Sequence, residues 1–335
     1  MTWTRRVMVA ASVLVASVGA RAGVAAADPP GPTDYRTTVE DVSPAQPGLT
    51  VGIVGGDSFV ELSVTEPIEV VVVGYRGEDY LRFDPDGTVW ENRASPSYFT
   101  SRSRYGDEVP VGVVASSPPE WSQVAGDGSY AWHDHRAHWM NSFRPPGRQP
   151  GDVILEGSIP LRVDGRDARI VVASTWLAAP SPLPVWLGAI AGLGAALGAF
   201  RGRHGRTLGS TAVVTAVVAL AIGWWRWSAV PPETGPSVLL IALPAVAAVT
   251  AAVGTWAVGR FWSSGLVLAA GLELALWAWT LRAGLVRAIV PTEAPAWLER
   301  AGVAAVGVAA PSLSMVALGV LLTSPAGTRR PAMAT

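Results

Sequence analysis

Residues 184–200, PVWLGAIAGLGAALGAF, decide the fold of this chain, because they contain seventeen residues and no charge. Four further apolar runs of similar length follow, at residues 207–229, 236–258, 261–280 and 301–322. A helix needs about 20 apolar residues to cross the hydrocarbon of a bilayer. We therefore predict that residues 184–323 form a five-helix transmembrane bundle, with 324–335 as a tail.

The chain before these runs has a different composition. Residues 1–27 combine an arginine pair, an apolar stretch and three closing alanines, as signal peptides do, so we predict export with cleavage after Ala27 or, alternatively, after Ala20. Residues 28–183 carry 22 acids against 12 arginines, whereas the rest of the chain carries 4 acids and 13 arginines. An acidic domain beside a basic apolar one indicates water and bilayer as its two solvents, and argues against nucleic-acid binding.

Residues 28–183 are expected to form the exported domain, and their pattern is that of short strands separated by turns. The predicted strands are Leu49–Val54, Ser58–Val64, Ile68–Val73, Val111–Ala115, Tyr130–Trp139, Val153–Val163 and Ala168–Leu177. Turn residues stand at 84–87 and at Asp164-Gly165. The expected fold is an antiparallel β-sandwich-like domain followed by about five transmembrane helices. The chain has no cysteine, which excludes disulfides and thiolate sites.

Arginine placement predicts the orientation of the bundle, since cytoplasmic loops are enriched in positive charge. Three arginines lie between the first two apolar runs and two follow the fifth. The β domain is thus expected outside the cell membrane and the C-terminus in the cytoplasm. Arg282, Arg287 and Arg300, in or beside the last outer loop, are the one feature that argues against this orientation.

The stretch YAWHDHRAHWM, residues 130–140, is the strongest chemical signal, because it holds three of the four histidines in the chain. Neutral imidazole is a good ligand for Zn²⁺ and Cu²⁺. In an extended segment His133 and His135 would share one face, about 7 Å apart, and a bulge would bring His138 to the same face. Asp134 could serve as a further metal ligand or could orient a histidine ligand. The pattern predicts a Cu(II) or Zn(II) site at these four residues.

Two other interpretations of the same residues remain open. An Asp–Arg pair with histidine hydrogen bonds could pin a long loop to the domain, giving a structural or partner-binding module of the envelope without metal. A cell-envelope enzyme using His and Asp as acid–base groups would need a second charged cluster, such as Glu91, Arg93 or Asp107. Separately, Glu273 lies in the middle of an apolar run, where an acid is either functional or hydrogen-bonded to a neighbouring helix.

The string YAWHDHRAHWM, preceded by YLRFDPDGTVWENRASPSYFTSRSRYG and PPEWSQV, resembles a family of uncharacterised actinobacterial membrane proteins. The resemblance implies a signal peptide, an exported β domain and C-terminal spans along essentially the whole chain, and no particular activity. The layout is also similar to bacterial copper-handling membrane proteins, whose copper residues are not recognisable here. The leading expectation is a membrane-anchored extracytoplasmic metal-binding protein, with the lipid bilayer, a metal ion or another envelope protein as partners.

Overall fold

The computed structural model describes residues 27–141, 143–202, 205–235, 237–257 and 259–323. The predicted signal peptide, apart from Ala27, and the predicted tail lie outside the described residues. Within the described ranges, an antiparallel β domain is followed by five helices long and apolar enough to cross a membrane. The predicted fold class is therefore confirmed.

Two antiparallel sheets build the β domain. The strands are β1 Tyr35–Ser43, β2 Leu49–Val54, β3 Phe59–Val64, β4 Val70–Val73, β5 Asp79–Phe83, β6 Val89–Asn92, β7 Trp121–Ala125, β8 Ser129–Trp132, β9 Val153–Val163 and β10 Arg166–Trp176. The larger sheet has the order β1-β10-β9-β4-β5-β6-β7, and the smaller one the order β2-β3-β8. Leu62, Phe83 and Ile159, from both sheets, are fully buried in a shared core, which makes the domain sandwich-like.

The β9–β10 hairpin fixes which end of the domain faces the helices. Asp164 and Gly165 both have positive φ, 47° and 75°, as a two-residue hairpin turn requires. The strand β9 begins at Val153 and β10 ends at Trp176, where the chain leaves for the first long helix. The Asp164-Gly165 turn therefore lies at the end of the domain remote from the bundle.

Five long helices follow one short helix. Their bounds are α1 Pro96–Thr100, α2 Leu183–Gly202, α3 Gly205–Ser228, α4 Leu239–Trp256, α5 Arg260–Thr280 and α6 Ala296–Thr323, with a 3₁₀ turn at Arg282–Leu285. Large apolar side chains project outward from α2 to α6, among them Ile190, Val214, Leu272 and Met315. Such a surface suits lipid rather than water, and the chain is a multi-pass membrane protein.

The bundle interior uses proline and tryptophan together. Pro244 lies inside α4 and has no N–H, so the carbonyl of Leu240, four residues earlier, loses its helical donor. Trp277 of α5 is fully buried, and its indole Nε1 donates to that carbonyl at 3.0 Å. Gly223 of α3 also passes so close to Leu240 that a β-carbon would overlap the same oxygen. The carbonyl that the proline leaves without a helical donor is thus hydrogen-bonded by a neighbouring helix.

The β domain is attached to the bundle by its N-terminal segment and by two loops. Thr33 and Ile289 exchange two backbone hydrogen bonds, of 3.1 and 2.8 Å. Asp34 accepts from the Arg287 guanidinium at 2.5 Å and from the Ala288 N–H at 2.9 Å. The α3–α4 loop makes a second contact, in which Glu233 accepts from a backbone N–H of β8 at 3.2 Å. Both loops therefore lie on the β-domain side of the bundle.

The arginines that argued against the predicted orientation have internal partners. Arg287 binds Asp34, as described above, and Arg282 donates to the carbonyl of Trp279 while lying over its ring. Arg300 is buried and donates to the carbonyls of Gly284, Arg287 and Ala288. These three residues stabilise the conformation of the α5–α6 loop. Their positive charge therefore has a structural explanation that does not depend on which side of the membrane the loop lies.

Several strand predictions need correction. Val153–Val163 and Leu49–Val54 agree with β9 and β2, but Val111–Ala115 is a loop, with the side chain of Val111 fully exposed. The predicted strand Tyr130–Trp139 ends at Trp132. It ends there because the backbone turns back after Trp132, where the Ala137 N–H donates to the Asp134 carbonyl, and the pairing of β8 with β3 stops at Trp132.

Candidate functional site

The histidine loop, residues 133–140, follows β8 directly and turns back at once. The N–H of Ala137 donates to the carbonyl of Asp134 at 2.9 Å, which closes a tight turn. The Ala137 carbonyl accepts from the Thr37 hydroxyl of β1 at 2.6 Å. Gly157 of β9 packs against the loop so closely that a β-carbon would overlap the carbonyl oxygen of Arg136. The loop is therefore clamped between β1 and β9.

Both carboxylate oxygens of Asp134 accept hydrogen bonds from neighbouring side chains. Its two carboxylate oxygens accept from Arg136 Nε and Nη2 at 2.8 and 2.7 Å, and from the Trp132 indole at 3.0 Å. Arg136 continues the network to the carbonyl of Val73 at 3.0 Å and lies 4.8 Å from the centre of the Tyr75 ring. Breaking such a buried bidentate pair from one side typically costs about 3–5 kcal/mol. This pair orients the loop.

A second buried pair supports the first. Asp57, in the β2–β3 turn, accepts from Arg104 Nη1 and Nη2 at 3.0 and 2.6 Å. The Asp57 side chain has no exposed surface, and burial raises its pKa despite the hydrogen bonds from Arg104, which lower it. Arg104 belongs to the segment after α1, so this pair ties that segment to the smaller sheet.

His133 contacts two backbone carbonyls. Its Nδ1 lies 2.7 Å from the carbonyl oxygen of Ser58 and its Nε2 lies 3.0 Å from that of Asp28. The ring is buried and stacks on Phe59, with the centroids 4.0 Å apart. A neutral imidazole carries one N–H, and the shorter contact assigns it to Nδ1, donating to Ser58. Both nitrogens thus face oxygen atoms of the protein itself.

His135 and His138 each contact one carbonyl of the segment after α1. His135 Nε2 lies 3.1 Å from the carbonyl oxygen of Ser103, and His138 Nε2 lies 2.8 Å from that of Arg104. The two rings are edge to face, with centroids 5.2 Å apart. Nδ1 of His138 is buried and has no hydrogen-bond partner among the described residues. Gly106 gives room for His135, since a β-carbon there would touch the ring.

All three imidazoles are held in the neutral form. Burial lowers the pKa of His133 and of His135, because water no longer solvates the charged ring. Burial and the nearby Arg104 charge lower the pKa of His138 to about 3. Neutral rings can ligate a metal, but they can equally serve as uncharged hydrogen-bond donors inside a domain.

The predicted metal ligands differ in how many of their ring nitrogens or carboxylate oxygens already contact other groups of the protein. His133 faces carbonyls with both nitrogens, and the oxygens of Asp134 are taken by Arg136 and Trp132. His135 and His138 each use only one nitrogen in the hydrogen bonds described above. Across the described part of the chain, no group of three or more His, Asp or Glu side chains is placed to hold a metal ion.

The second cluster considered for an enzyme lies apart from the histidines. Glu91 of β6 is buried beside Arg93, and the hydroxyl of Tyr80 donates to it at 3.4 Å. Burial raises the pKa of Glu91 to about 7. Asp107 is exposed and accepts from the Ser103 hydroxyl at 2.9 Å, so it meets the histidine loop only through that residue.

Three residues of the network were missed from the sequence: Thr37, Asp57 and Tyr75. Each lies more than 25 positions from the histidines, in a segment without a motif. The Tyr75 hydroxyl accepts from the His135 N–H at 3.0 Å. No family model, curated protein or solved structure matches this chain.

Proposed function

We propose that the chain is a membrane-anchored interaction module of the cell envelope, and that the histidine loop is its structural lock. The observation that carries this proposal is the position of the ring nitrogens. All three histidines direct a nitrogen to a backbone carbonyl of another segment: Asp28, Ser58, Ser103 and Arg104 supply the oxygens. The rings therefore fasten the β2–β3 turn and the segment after α1 to β8, while the Asp28 carbonyl lies against Nε2 of His133.

Rigid attachment to the bundle supports the same function. Backbone pairing of Thr33 with Ile289 and the Asp34–Arg287 ion pair join the domain to the α5–α6 loop. A domain fixed in this way presents its surface to an envelope partner in one orientation. We place the domain on the extracytoplasmic side, because of the predicted signal peptide and the arginines between the first two helices.

A metal-content measurement tests the lock. Full-length protein in detergent would be compared with a triple variant, His133→Ala/His135→Ala/His138→Ala, after exposure to Zn²⁺ or Cu²⁺ and gel filtration. We expect no stoichiometric metal in either protein. We also expect faster amide hydrogen exchange in residues 101–106 of the variant, because the carbonyls that the rings bind are released. One metal per chain in the wild type, lost in the variant, would overturn the proposal.

A designed cysteine pair tests the attachment. Thr33 and Ile289 form a hydrogen-bonded antiparallel pair, in which the two Cα atoms are about 5.5 Å apart, within the range that a disulfide spans. Since the chain has no cysteine, Thr33→Cys/Ile289→Cys should crosslink within one chain under mild oxidation. Thr38→Cys/Ile289→Cys is the matched control, because five strand residues add about 16 Å. Equal crosslinking of both pairs would refute a fixed attachment.

Binding of a single Zn(II) or Cu(II) ion is the second candidate function. It is favoured by one observation: Nδ1 of His138 is buried without a hydrogen-bond partner among the described residues, and the centres of the His138 and His135 rings are 5.2 Å apart. Two imidazoles with water as a further ligand could hold an ion weakly. His138→Ala alone would then remove the metal, whereas His133→Ala would leave it bound, and this contrast separates a two-histidine site from the four-residue site predicted from the sequence.

A further inference from the structure

The segment 143–150 lies at the bundle end of the β domain. It leads into β9, and its far end is tied to the end of β10: Gly151 N–H donates to the Trp176 carbonyl at 2.7 Å, and Trp176 N–H donates to the Asp152 carbonyl at 3.0 Å. The next residue, Leu177, donates to the carbonyl of Asp34 at 2.7 Å. Because Asp34 binds Arg287 of the α5–α6 loop, the segment is level with the outer ends of the helices.

The side chains of this segment are exposed although some are apolar. Phe143 is 77% exposed, and its carbonyl accepts from the Trp139 indole at 2.9 Å, which fixes the backbone below it. Arg144 and Arg148 are exposed as well, and the guanidinium of Arg144 lies 5.9 Å from the centre of the Trp176 ring. Nothing in the described part of the chain covers the Phe143 ring.

The charge of the segment is opposite to that of its domain. Residues 143–150, FRPPGRQP, carry two arginines and no acid, whereas residues 28–183 carry 22 acids against 12 arginines. An acidic domain is repelled by anionic lipid headgroups, and basic residues within a Debye length of the surface are attracted to them. The basic, aromatic segment thus occupies the one end of the domain that adjoins the membrane.

We propose that segment 143–150 rests on the headgroup layer of the membrane that the bundle crosses. Phe143 enters the boundary between headgroups and acyl chains, where apolar side chains such as Phe and Leu are buried. Arg144 and Arg148 bind lipid phosphates, with which guanidinium forms charge-assisted hydrogen bonds. At the start of α2, which follows β10, Leu183 and Trp186 are exposed as well. The domain then has lipid as a third support beside the two loops.

A site-specific fluorescent probe tests this contact. Full-length Phe143→Cys would be labelled with an environment-sensitive fluorophore and reconstituted into nanodiscs of phosphatidylcholine with phosphatidylglycerol. Arg166→Cys, exposed beside the remote turn of the β9–β10 hairpin, is the matched control, and the absence of native cysteine makes both labels unique. We expect emission at shorter wavelength and quenching by headgroup-labelled lipid at position 143, and neither effect at position 166.

One double variant and two contrary outcomes make the test decisive. In Arg144→Glu/Arg148→Glu carrying the same label, quenching should fall, and the fall should be larger with phosphatidylglycerol than with phosphatidylcholine alone. Equal, water-like emission at positions 143 and 166 would overturn the proposal. Emission at shorter wavelength without lipid quenching would also overturn it, because the ring would then be covered by protein, such as a second copy of the chain.

Discussion

Two buried groups of the β domain should oppose each other as the pH falls from 7 to 5. His138, which ordinarily titrates at about 6.5, has its pKa lowered to about 3. Its contribution to stability is complete above pH 6.5 and is lost as the pH falls, because only the unfolded chain takes up the proton. Glu91, which ordinarily titrates at about 4.3, has its pKa raised to about 7. The folded chain takes up that proton, so Glu91 gains stability over the same interval.

The two effects have similar size. One pKa unit corresponds to about 1.36 kcal/mol, so the change from pH 7 to pH 5 removes roughly 2 kcal/mol through His138 and adds roughly 2 kcal/mol through Glu91. Both side chains are at least nine-tenths buried, so solvent screening is small. We expect Glu91→Gln to lose about 2 kcal/mol more than wild type on acidification, and His138→Leu to lose about 2 kcal/mol less.

Amide hydrogen exchange of the full-length protein in detergent can measure this difference locally. Protection factors of residues 129–140, corrected for intrinsic exchange at each pH, would differ by roughly 30-fold between variant and wild type for 2 kcal/mol. A loss of stability that is the same at every pH does not affect the test, because the test compares how the free energy of unfolding changes with pH in each variant. Parallel pH profiles for wild type and both variants would refute the reasoning.

Three other changes test the packing. Gly157→Ala should displace the loop at Arg136 and destabilise the β domain by about 2–4 kcal/mol, since a backbone oxygen must move. A thermal midpoint within about 2 °C of wild type would contradict this, because a loss of that size usually lowers the midpoint by more. Trp277→Phe should leave the Leu240 carbonyl, which Pro244 deprives of its helical donor, unpaired and cost about 1–3 kcal/mol. The loss should appear as a lower midpoint for loss of bundle helicity, with Trp279→Phe as the exposed control. Arg300→Met should release three carbonyls of the α5–α6 loop and speed proteolysis there, and an unchanged cleavage rate would argue against its role.

The transmembrane helices were predictable because their signal is local. Hydrocarbon demands an unbroken apolar run, and all five predicted runs overlap α2 to α6 with boundary differences of a few residues. The β9–β10 hairpin was equally clear, since Val153–Val163 alternates and Asp164-Gly165 supplies the turn. Both features can be recognised without knowing what packs against them.

Strands that depend on distant partners were not predictable. The first strand, Tyr35–Ser43, has the sequence of a polar segment after a proline-rich entry. It is a strand because β10 pairs with it from 126 to 141 positions away. Val111–Ala115 has the opposite property, an apolar composition without a partner strand. The contacts of the histidine loop were unpredictable for the same reason, because the carbonyl oxygens that its ring nitrogens face belong to segments up to 105 positions away.

The pairing of Thr33 with Ile289 has a consequence for biogenesis. All strands of the β domain have been synthesised once Trp176 is reached, yet the residue on which the domain docks lies about 110 positions further on. At ~5–20 residues per second, translation needs roughly 6–20 s to supply it, which is ample time for a small β domain to fold. If the domain is exported as proposed, it emerges first and stays untethered, and its docking reports that the fourth hydrophobic segment has been inserted.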